Sequence, residues 1–449
     1  MSSALLLHTT LLVALPAAVF LLFGAGWLLG HKPSERILSR TTLVSHALLT
    51  LIVGWVAFDY WRTDSSAVLV DLGEWFMFHG VGISLSFLID HLSITLVALT
   101  VVLVGLVALF SVRYMHRDPG YFRFFLLLHL FTFGALVVFL SSSLDLMFGG
   151  WELVGLSSVL LVGFFHYRRD PLRNAVRVFA AYRIADLQIV IATVLAHLWF
   201  GSADWDRLLA TDVSSSADTW LALLLIIGAC GKSAQGPFFG LLARAMEGPT
   251  PSSAVFYGAI SVHTGAYLLL RIQPLIAGSV TATALLIAFG LITALVAAVM
   301  QRTRTDAKTS LAYAAQTQVG LILVEIGLGW TTLALVHIVG HALLRTMQFL
   351  RAPSLLHDHH TMHAAAGGHL PATDRLFGSL PQGLRMWLYR LGMGAGLYDA
   401  VIDRLVVAPV LFLSRTLAMF DPRSKSRKLA PSIAVLPAQE GEPERGRNR

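Results

Sequence analysis

Cysteine is nearly absent: Cys230 is the single one in 449 residues. That excludes an intrachain disulfide framework and any thiolate cluster for an iron–sulfur centre or a structural zinc. Charge is scarce too, at 13% of residues against 56% hydrophobic, with a mean hydropathy of +0.70. A soluble globule of this length needs more polar surface, so the bilayer is the natural solvent. The first apolar stretch, Ala4 to Gly30, lacks a basic leading segment and a small-residue cleavage motif, and is expected to stay as a helix. The net charge of +7 comes from Lys and Arg spread over short loops and the C-terminal tail, which points to membrane topology and away from nucleic acid.

What is present is a succession of apolar runs near 20 residues. They predict an all-α polytopic membrane protein of about eleven transmembrane helices, at 4–29, 42–60, 92–112, 121–141, 143–166, 176–200, 219–245, 254–272, 280–301, 310–328 and 331–351. Alternate loops carry Lys32, Arg36 and Arg40, then Arg113 and Arg117, then Arg168, Arg169 and Arg173, then Arg244, then Arg302, Arg304 and Lys308. The opposite loops hold Arg62 and Arg207 together with Asp64, Asp71, Glu74, Asp204, Asp206 and Asp212. By the positive-inside rule the first set is cytoplasmic, the N-terminus outside and the C-terminus inside, as expected for a multi-pass protein of a bacterial inner membrane.

Beyond Arg351 the composition changes. A His-rich and Gly-rich segment, with His357, His359, His360, His363 and His369, reads as a solvated tract, and no metal is assigned to it. Residues 352–422 form the expected cytoplasmic or interfacial region. Within it Leu405 to Leu413 is short for a span, contains Pro409 and is flanked by Asp399, Asp403, Arg404 and Arg415. An amphipathic helix on the membrane surface is expected there, with a twelfth span or a partner-docking helix as alternatives. The tail 423–449 has the composition of a disordered segment.

Ionisable residues inside the spans carry the chemistry. Glu152, within Gly149-Gly150-Trp151-Glu152-Leu153-Val154-Gly155-Leu156, lies in an otherwise apolar helix. A charged, unpaired carboxylate there costs roughly 3 kcal/mol on insertion scales, so it must face the bundle or water, as a protonatable relay or a packing ion pair. Lys232 falls mid-span in Gly231-Lys232-Ser233-Ala234-Gln235-Gly236-Pro237, and Pro237 lets the helix break where the gap is buried or lines a cavity. Arg183 and Asp186, three apart on one helix face, are placed to pair with each other or with Glu152. His337, His341 and Arg345 recur every fourth residue and line one face of the last span, in a pattern suited to proton relay. His263 and Glu325 are further intramembrane candidates for pathway or packing, and Lys308 sits at the cytoplasmic end of its helix, at the surface or buried. The Gly-Lys-Ser string at 231–233 is no phosphate loop, because the preceding glycine spacing and strand are missing.

Together these residues resemble the proton-translocating antiporter-like family that includes subunit L of respiratory complex I and the large subunit of multisubunit cation/proton antiporters. The resemblance runs from about Phe87 to Leu350. It is carried by Gly150 to Leu156, Gly231 to Gln235, Glu247-Gly248-Pro249-Thr250-Pro251-Ser252-Ser253-Ala254, Thr305 to Lys308 with Leu311-Ala312-Tyr313, and His337 to Phe349. It implies that Glu152 and Lys232 form the core pair of a proton half-channel. It also implies an inverted-repeat fold: N-terminal helices at 1–120, a first repeat at 121–272 with its broken helix at Pro237, and a truncated second repeat at 280–351. Arg345 stands where the family usually has a lysine, and Tyr257 where it often has a histidine.

The shortened form, with Leu380 to Trp387 and the 399–415 segment at its end, resembles the DabB branch, the membrane subunit of a two-component inorganic carbon transporter. That resemblance implies a large cytoplasmic zinc-containing DabA-like partner, similar to a carbonic anhydrase, with no cofactor in this chain. The expected function is then that of a transporter subunit, not an enzyme. It would pass protons, or sodium, across the lipid bilayer and so drive CO2/bicarbonate uptake by the partner. Two alternatives stand beside it: a proton-pumping component of an NADH-quinone oxidoreductase or cation/proton antiporter complex, with the subunits of such a complex as partners, and a non-conducting membrane anchor.

Overall fold

The computed structural model describes residues 3–63, 66–78, 81–210, 216–304, 306–365 and 380–393, with scattered single residues between 404 and 416. From 353 to 365 only the backbone is described. The chain divides into two compact units, Met1–Val401 and Ile402–Arg449. The side chains of the His-rich segment 357–369, almost all of the helix expected at 399–420 and the tail 423–449 lie outside the described residues.

Two long helices open the first unit, α1 (Ser3–Leu28) and α2 (Glu35–Arg62). An antiparallel hairpin, β1 (Ala67–Phe78) and β2 (Val81–Asp90), then leads into α3 (His91–Tyr114), α4 (Tyr121–Leu140), α5 (Leu144–Val162) and α6 (Arg169–Phe200). Short α7 (Trp205–Ala210) precedes α8 (Ser216–Lys232), after which the path is interrupted by α9 (Leu241–Arg244) and α10 (Thr250–Ser253). A π-helical turn, Ala254–Ala259, continues into α11 (Ser261–Arg271). Then follow α12 (Gln273–Ala277), α13 (Val280–Arg302), α14 (Ala307–Gly327), α15 (Thr331–Ala365) and α16 (Gln382–Met393).

Side-chain caps fix where the helices begin. Ser143 Oγ accepts from Leu146 N at 3.2 Å, Asp306 Oδ2 from Thr309 N at 2.8 Å, and Asp90 and Ser93 form a reciprocal capping box on α3. The run Thr250–Arg271 is buried throughout and is the centre of the bundle. Its polar members Ser253, Ser261, His263 and Thr264 are enclosed along with the apolar ones, which only a surround of other helices allows.

Glycines set the closest helix approaches. A Cβ on Gly150 would lie 2.7 Å from Gly134 O, and one on Gly134 3.0 Å from Gly150 O, so α4 and α5 touch backbone to backbone. The same device joins α13 to α14, where a Cβ on Gly290 would meet Gly320 O at 2.5 Å. Small residues allow this contact where lipid supplies no hydrophobic drive between helices.

Among the described residues nine helices are long and apolar enough to cross a membrane. The other two predicted spans are also helices. α14 carries Gln316, Thr317, Gln318 and Glu325 along its length, and α8 has only 17 residues. The single span expected at 219–245 is corrected: α8 ends at Lys232, and the break starts at Ser233, ahead of Pro237. Gln235 N donates to Cys230 O at 2.8 Å and Ala234 N to Gly231 O at 3.3 Å, with Ala234 at φ +52°, the Schellman geometry that stops a helix. The last span, expected at 331–351, continues as helix to Ala365. The hairpin was not expected at all. Its signal is the alternation Ile83, Leu85, Phe87, Ile89 against Ser84, Ser86 and Leu88, with Val70, Phe87 and Ile89 buried on the bundle.

The broken segment is held by side chains of later helices. Gln316 Nε2 donates to Phe239 O at 3.1 Å and also to Ala234 O. Gly236 N donates to Thr293 Oγ1 at 2.9 Å, and Ser233 Oγ to Val262 O at 2.8 Å. Freed backbone groups inside a membrane bundle are tolerated when satisfied in this way.

Two outcomes follow. Gly150→Ala is expected to cost about 1–3 kcal/mol through overpacking, whereas Gly149→Ala, with nothing within 4 Å of its Cβ position, is expected to be neutral or mildly stabilising. Gln316→Leu removes the donor to two buried carbonyls and is expected to cost about 1–3 kcal/mol for each. Unfolding in mild detergent, followed by size-exclusion chromatography after graded heating, reads both.

Candidate functional site

The first cluster is built where α5, α6 and the buried end of α8 meet. Arg183 Nη2 lies 2.6 Å from Glu152 Oε2 and 2.8 Å from Asp186 Oδ2, so one guanidinium bridges two carboxylates. Both pairings open to the sequence, within α6 and across to α5, are thus realised together. Asp186 is buried and accepts at its other oxygen from Trp151 Nε1 at 2.6 Å. Glu152 Oε1 is buried with no protein partner.

Lys232 is 2% exposed. Its ammonium donates to Trp151 O at 3.2 Å and lies 4.4 Å from the Tyr182 ring centroid and 5.1 Å from that of Trp151. Cation–π contact and one carbonyl hold this charge, and among the described residues no carboxylate lies within 4 Å of it. The Glu152–Lys232 pair implied by the resemblance is therefore an indirect one, routed through Trp151, Asp186 and Arg183. Gly155 makes the room: a Cβ there would stand 2.8 Å from Lys232 Nζ. Gly228 and Gly231 bring α8 against α6, since their Cβ atoms would fall 2.5 Å from Ile189 and 2.0 Å from Ala185.

A second cluster is a row of imidazoles between α14, α15 and α11. His337 Nδ1 is 2.9 Å from Glu325 Oε1, and its Nε2 is 3.1 Å from Gln318 Oε1. One turn on, His341 Nδ1 is 3.0 Å from His263 Nε2, and Arg345 Nε donates to His341 Nε2 at 3.4 Å. His263 Nδ1 is bonded to Ala259 O, a carbonyl at the end of the π-helical turn. The rings of His337 and His341 are 6.5 Å apart. Four predicted residues, Glu325, His337, His341 and His263, are thus in one line, with Arg345 closing it.

Lys308 belongs to neither cluster. Its ammonium donates to Met246 O at 2.8 Å and Gly248 O at 2.9 Å, tying down the loop that leads into the buried run from Thr250. Pro237 lies in the break, after the point at which α8 ends. Between the clusters stands Tyr257 of the π-helical turn, whose hydroxyl is 2.5 Å from Ser158 Oγ. No hydrogen bond between described side chains joins the two clusters.

Sequence reasoning missed several polar groups in the interior. Asp90, Arg271 and Tyr267 form one: Arg271 Nη2 donates to Asp90 Oδ1 at 3.2 Å and to Tyr267 Oη at 3.1 Å, while Tyr267 donates to Phe139 O at 2.9 Å. His46 and His129 are another, with rings 5.4 Å apart and Thr42 Oγ1 3.2 Å from His129 Nε2. The available signal was a lone polar residue within an apolar run, as at His46 and His129. For Gln316 and Thr293 nothing in the sequence marks them as partners of a broken helix.

Comparison with known proteins places this geometry. The profile described as NADH:quinone oxidoreductase/Mrp antiporter, TM, matches residues 141–381, more than half of the chain. A second, described as NADH-Ubiquinone oxidoreductase (complex I), chain 5 N-terminus, matches residues 75–125. NADH-ubiquinone oxidoreductase chain 5 of Talaromyces marneffei is 33% identical over 71% of this chain and 49% of its own length. The chain 5 of Mycosarcoma maydis is 33% identical over 80% of this chain and 55% of its own. The chain thus spans about half the length of these relatives. A chain in the structure of the Mrp complex from a Dietzia species superposes with a TM-score of 0.65 at 28% identity, covering 75% of this chain and 37% of that one. A polytopic all-α membrane protein with these matches belongs to the NADH:quinone oxidoreductase/Mrp antiporter transmembrane family.

Proposed function

We propose that the chain translocates protons, or sodium, across the membrane as one subunit of a multisubunit assembly, using the Glu152–Arg183–Asp186–Lys232 cluster and the histidine row. The observation that carries this reading is Lys232: a buried ammonium at the end of an interrupted helix, without a carboxylate in contact. Keeping such a charge in a bundle is costly and has no value to a simple anchor.

The cluster has two carboxylates and two cations, so it is neutral when all four are charged. A proton taken up by Glu152 leaves it with one excess positive charge and frees Arg183 to serve Asp186 alone. That excess repels the Lys232 proton, so entry at one end favours release at the other. Tyr257, Ser158 and water carry the proton on toward His263 and His341, and the row ends at His337 and Glu325. Arg345 keeps its charge throughout and fixes the row's inner end, because a guanidinium does not give up its proton. On the loop charges, the N-terminus is proposed to lie outside and the C-terminus in the cytoplasm, in a bacterial inner membrane.

The names of the relatives favour a complex I-like or Mrp-like set of partner subunits. A second reading, in which a zinc-containing DabA-like cytoplasmic subunit uses the cation flow for inorganic carbon uptake, draws on Arg345 in place of a relay lysine. Purification from the native membrane, with mass spectrometry and metal analysis, separates them. Flavin and iron–sulfur subunits, or a set of further membrane subunits without them, support the first, and one large zinc protein the second.

In the purified assembly reconstituted into vesicles with an internal pH dye, Glu152→Gln is expected to slow proton flux by about 100-fold or more, with Glu152→Asp partly active. Unchanged flux would leave the chain as an anchor. Gly155→Ala places a methyl against Lys232 Nζ, and the flexible lysine end yields. Flux is therefore expected to fall while the unfolding temperature stays nearly constant.

A further inference from the structure

The basic-loop end of α4 carries two adjoining cavities outside the clusters described above, of about 440 and 550 Å3, which share Arg123, Leu126 and His166. The first is a cleft between α4, α5 and α6, walled by Leu127, Val159, Leu160, Leu172 and Phe179. Leu160, Leu172 and Phe179 remain exposed, so this wall faces outward, to lipid. The second holds Lys32, the aromatic rings of Trp27, Phe122 and Tyr167, and the carboxylate of Asp118. Asp118 is turned to its own backbone, accepting from Gly120 N at 2.7 Å.

At the junction stands Arg123. Its Nη2 donates to Phe164 O at 2.6 Å and its Nη1 to His166 Nδ1 at 3.1 Å, and the guanidinium lies 4.6 Å from the Phe164 ring centroid. Its Nε is buried with no acceptor. None of these hydrogen-bond partners is an anion; the Asp118 carboxylate, in the same cavity, acts on the guanidinium through space without bonding to it, and Lys32 adds a second cation there. Cations at the level of an aromatic belt, above an apolar cleft that opens to the hydrocarbon, match an amphiphile with a negative head and a long tail.

We infer that this double cavity binds one anionic phospholipid of the adjacent leaflet, its phosphate against Arg123 and Lys32 and one acyl chain in the cleft of α4, α5 and α6. A membrane lipid is the occupant because the cleft is apolar along its length and opens toward the bilayer. A free phosphate would leave it empty, and a protein segment would have to bring its own acid to Arg123.

The test uses the full chain with its native companions in mild detergent. Thermal unfolding is followed with added phosphatidylglycerol, phosphatidylcholine or inorganic phosphate, and retained lipid is counted by native mass spectrometry. The expected result is stabilisation by phosphatidylglycerol alone and about one retained anionic lipid per chain. Lys32→Gln should weaken the binding by about fivefold, the effect of one surface cation on an anionic lipid. Arg123 also holds the Phe164 carbonyl, so its loss is open to misfolding. Leu160→Trp serves instead: it fills the cleft, leaves both cations, and should displace the lipid while the chain stays folded. Equal stabilisation by phosphatidylcholine, a full effect from inorganic phosphate, unchanged retention in both variants, or a companion protein seated over Arg123 would each overturn the proposal.

Discussion

The structure turns on a helix that stops inside the bundle. In hydrocarbon, an unpaired backbone amide or carbonyl costs several kcal/mol, so a helix end there survives only if other elements answer each freed group. After Lys232 they do. The left-handed turn at Ala234 returns two N–H groups to Cys230 and Gly231, Gln316 and Thr293 reach in from α14 and α13, and Ser233 ties the break to α11. The interruption is therefore a constructed feature, and the ammonium at its edge inherits a fixed position.

That position explains the unusual company of Lys232. A direct carboxylate would neutralise the charge and bind the proton firmly in place. Two aromatic faces and one carbonyl hold the ammonium more softly, while Glu152, Arg183 and Asp186 act on it from a short distance. Trp151 couples the two halves, with its indole on Asp186 and its carbonyl on Lys232. In the mechanism proposed above, the sharing of Arg183 between two acids is what would make this cluster respond to one added proton. In the histidine row Glu325 stands at His337, while His341 takes His263 on one ring nitrogen and the Arg345 guanidinium on the other.

Small residues make this closeness available. Gly155 leaves space for the lysine end, Gly228 and Gly231 press α8 onto α6, and paired glycines seat α4 on α5 and α13 on α14. The α4–α5 and α13–α14 pairs use the same device, a glycine on each helix facing the partner's backbone. A π-helical turn at Ala254–Ala259 completes the centre. It carries Tyr257 toward Ser158 of α5 and leads directly into His263.

The sequence by itself determined the solvent, the helical class, most helix positions and the identity of the charged residues. Apolar length and the cost of intramembrane charge are local properties, written in single stretches of chain. Glu152, Arg183, Asp186, Lys232 and the line from His337 to Arg345 were legible for that reason. Tertiary structure decided which of these touch. Glu152 meets Arg183, not Lys232, because the faces of α5, α6 and α8 are set by glycine contacts that no single helix reveals. It also decided where the break begins, since Gln316 and Thr293 lie more than fifty residues away from it in the chain. The hairpin before α3 escaped notice because its alternation sits beside long apolar spans and becomes decisive only when Phe87 and Ile89 find the bundle surface. Lys308, read as a surface or buried candidate of the pathway, bonds to two loop carbonyls that only folding brings to it.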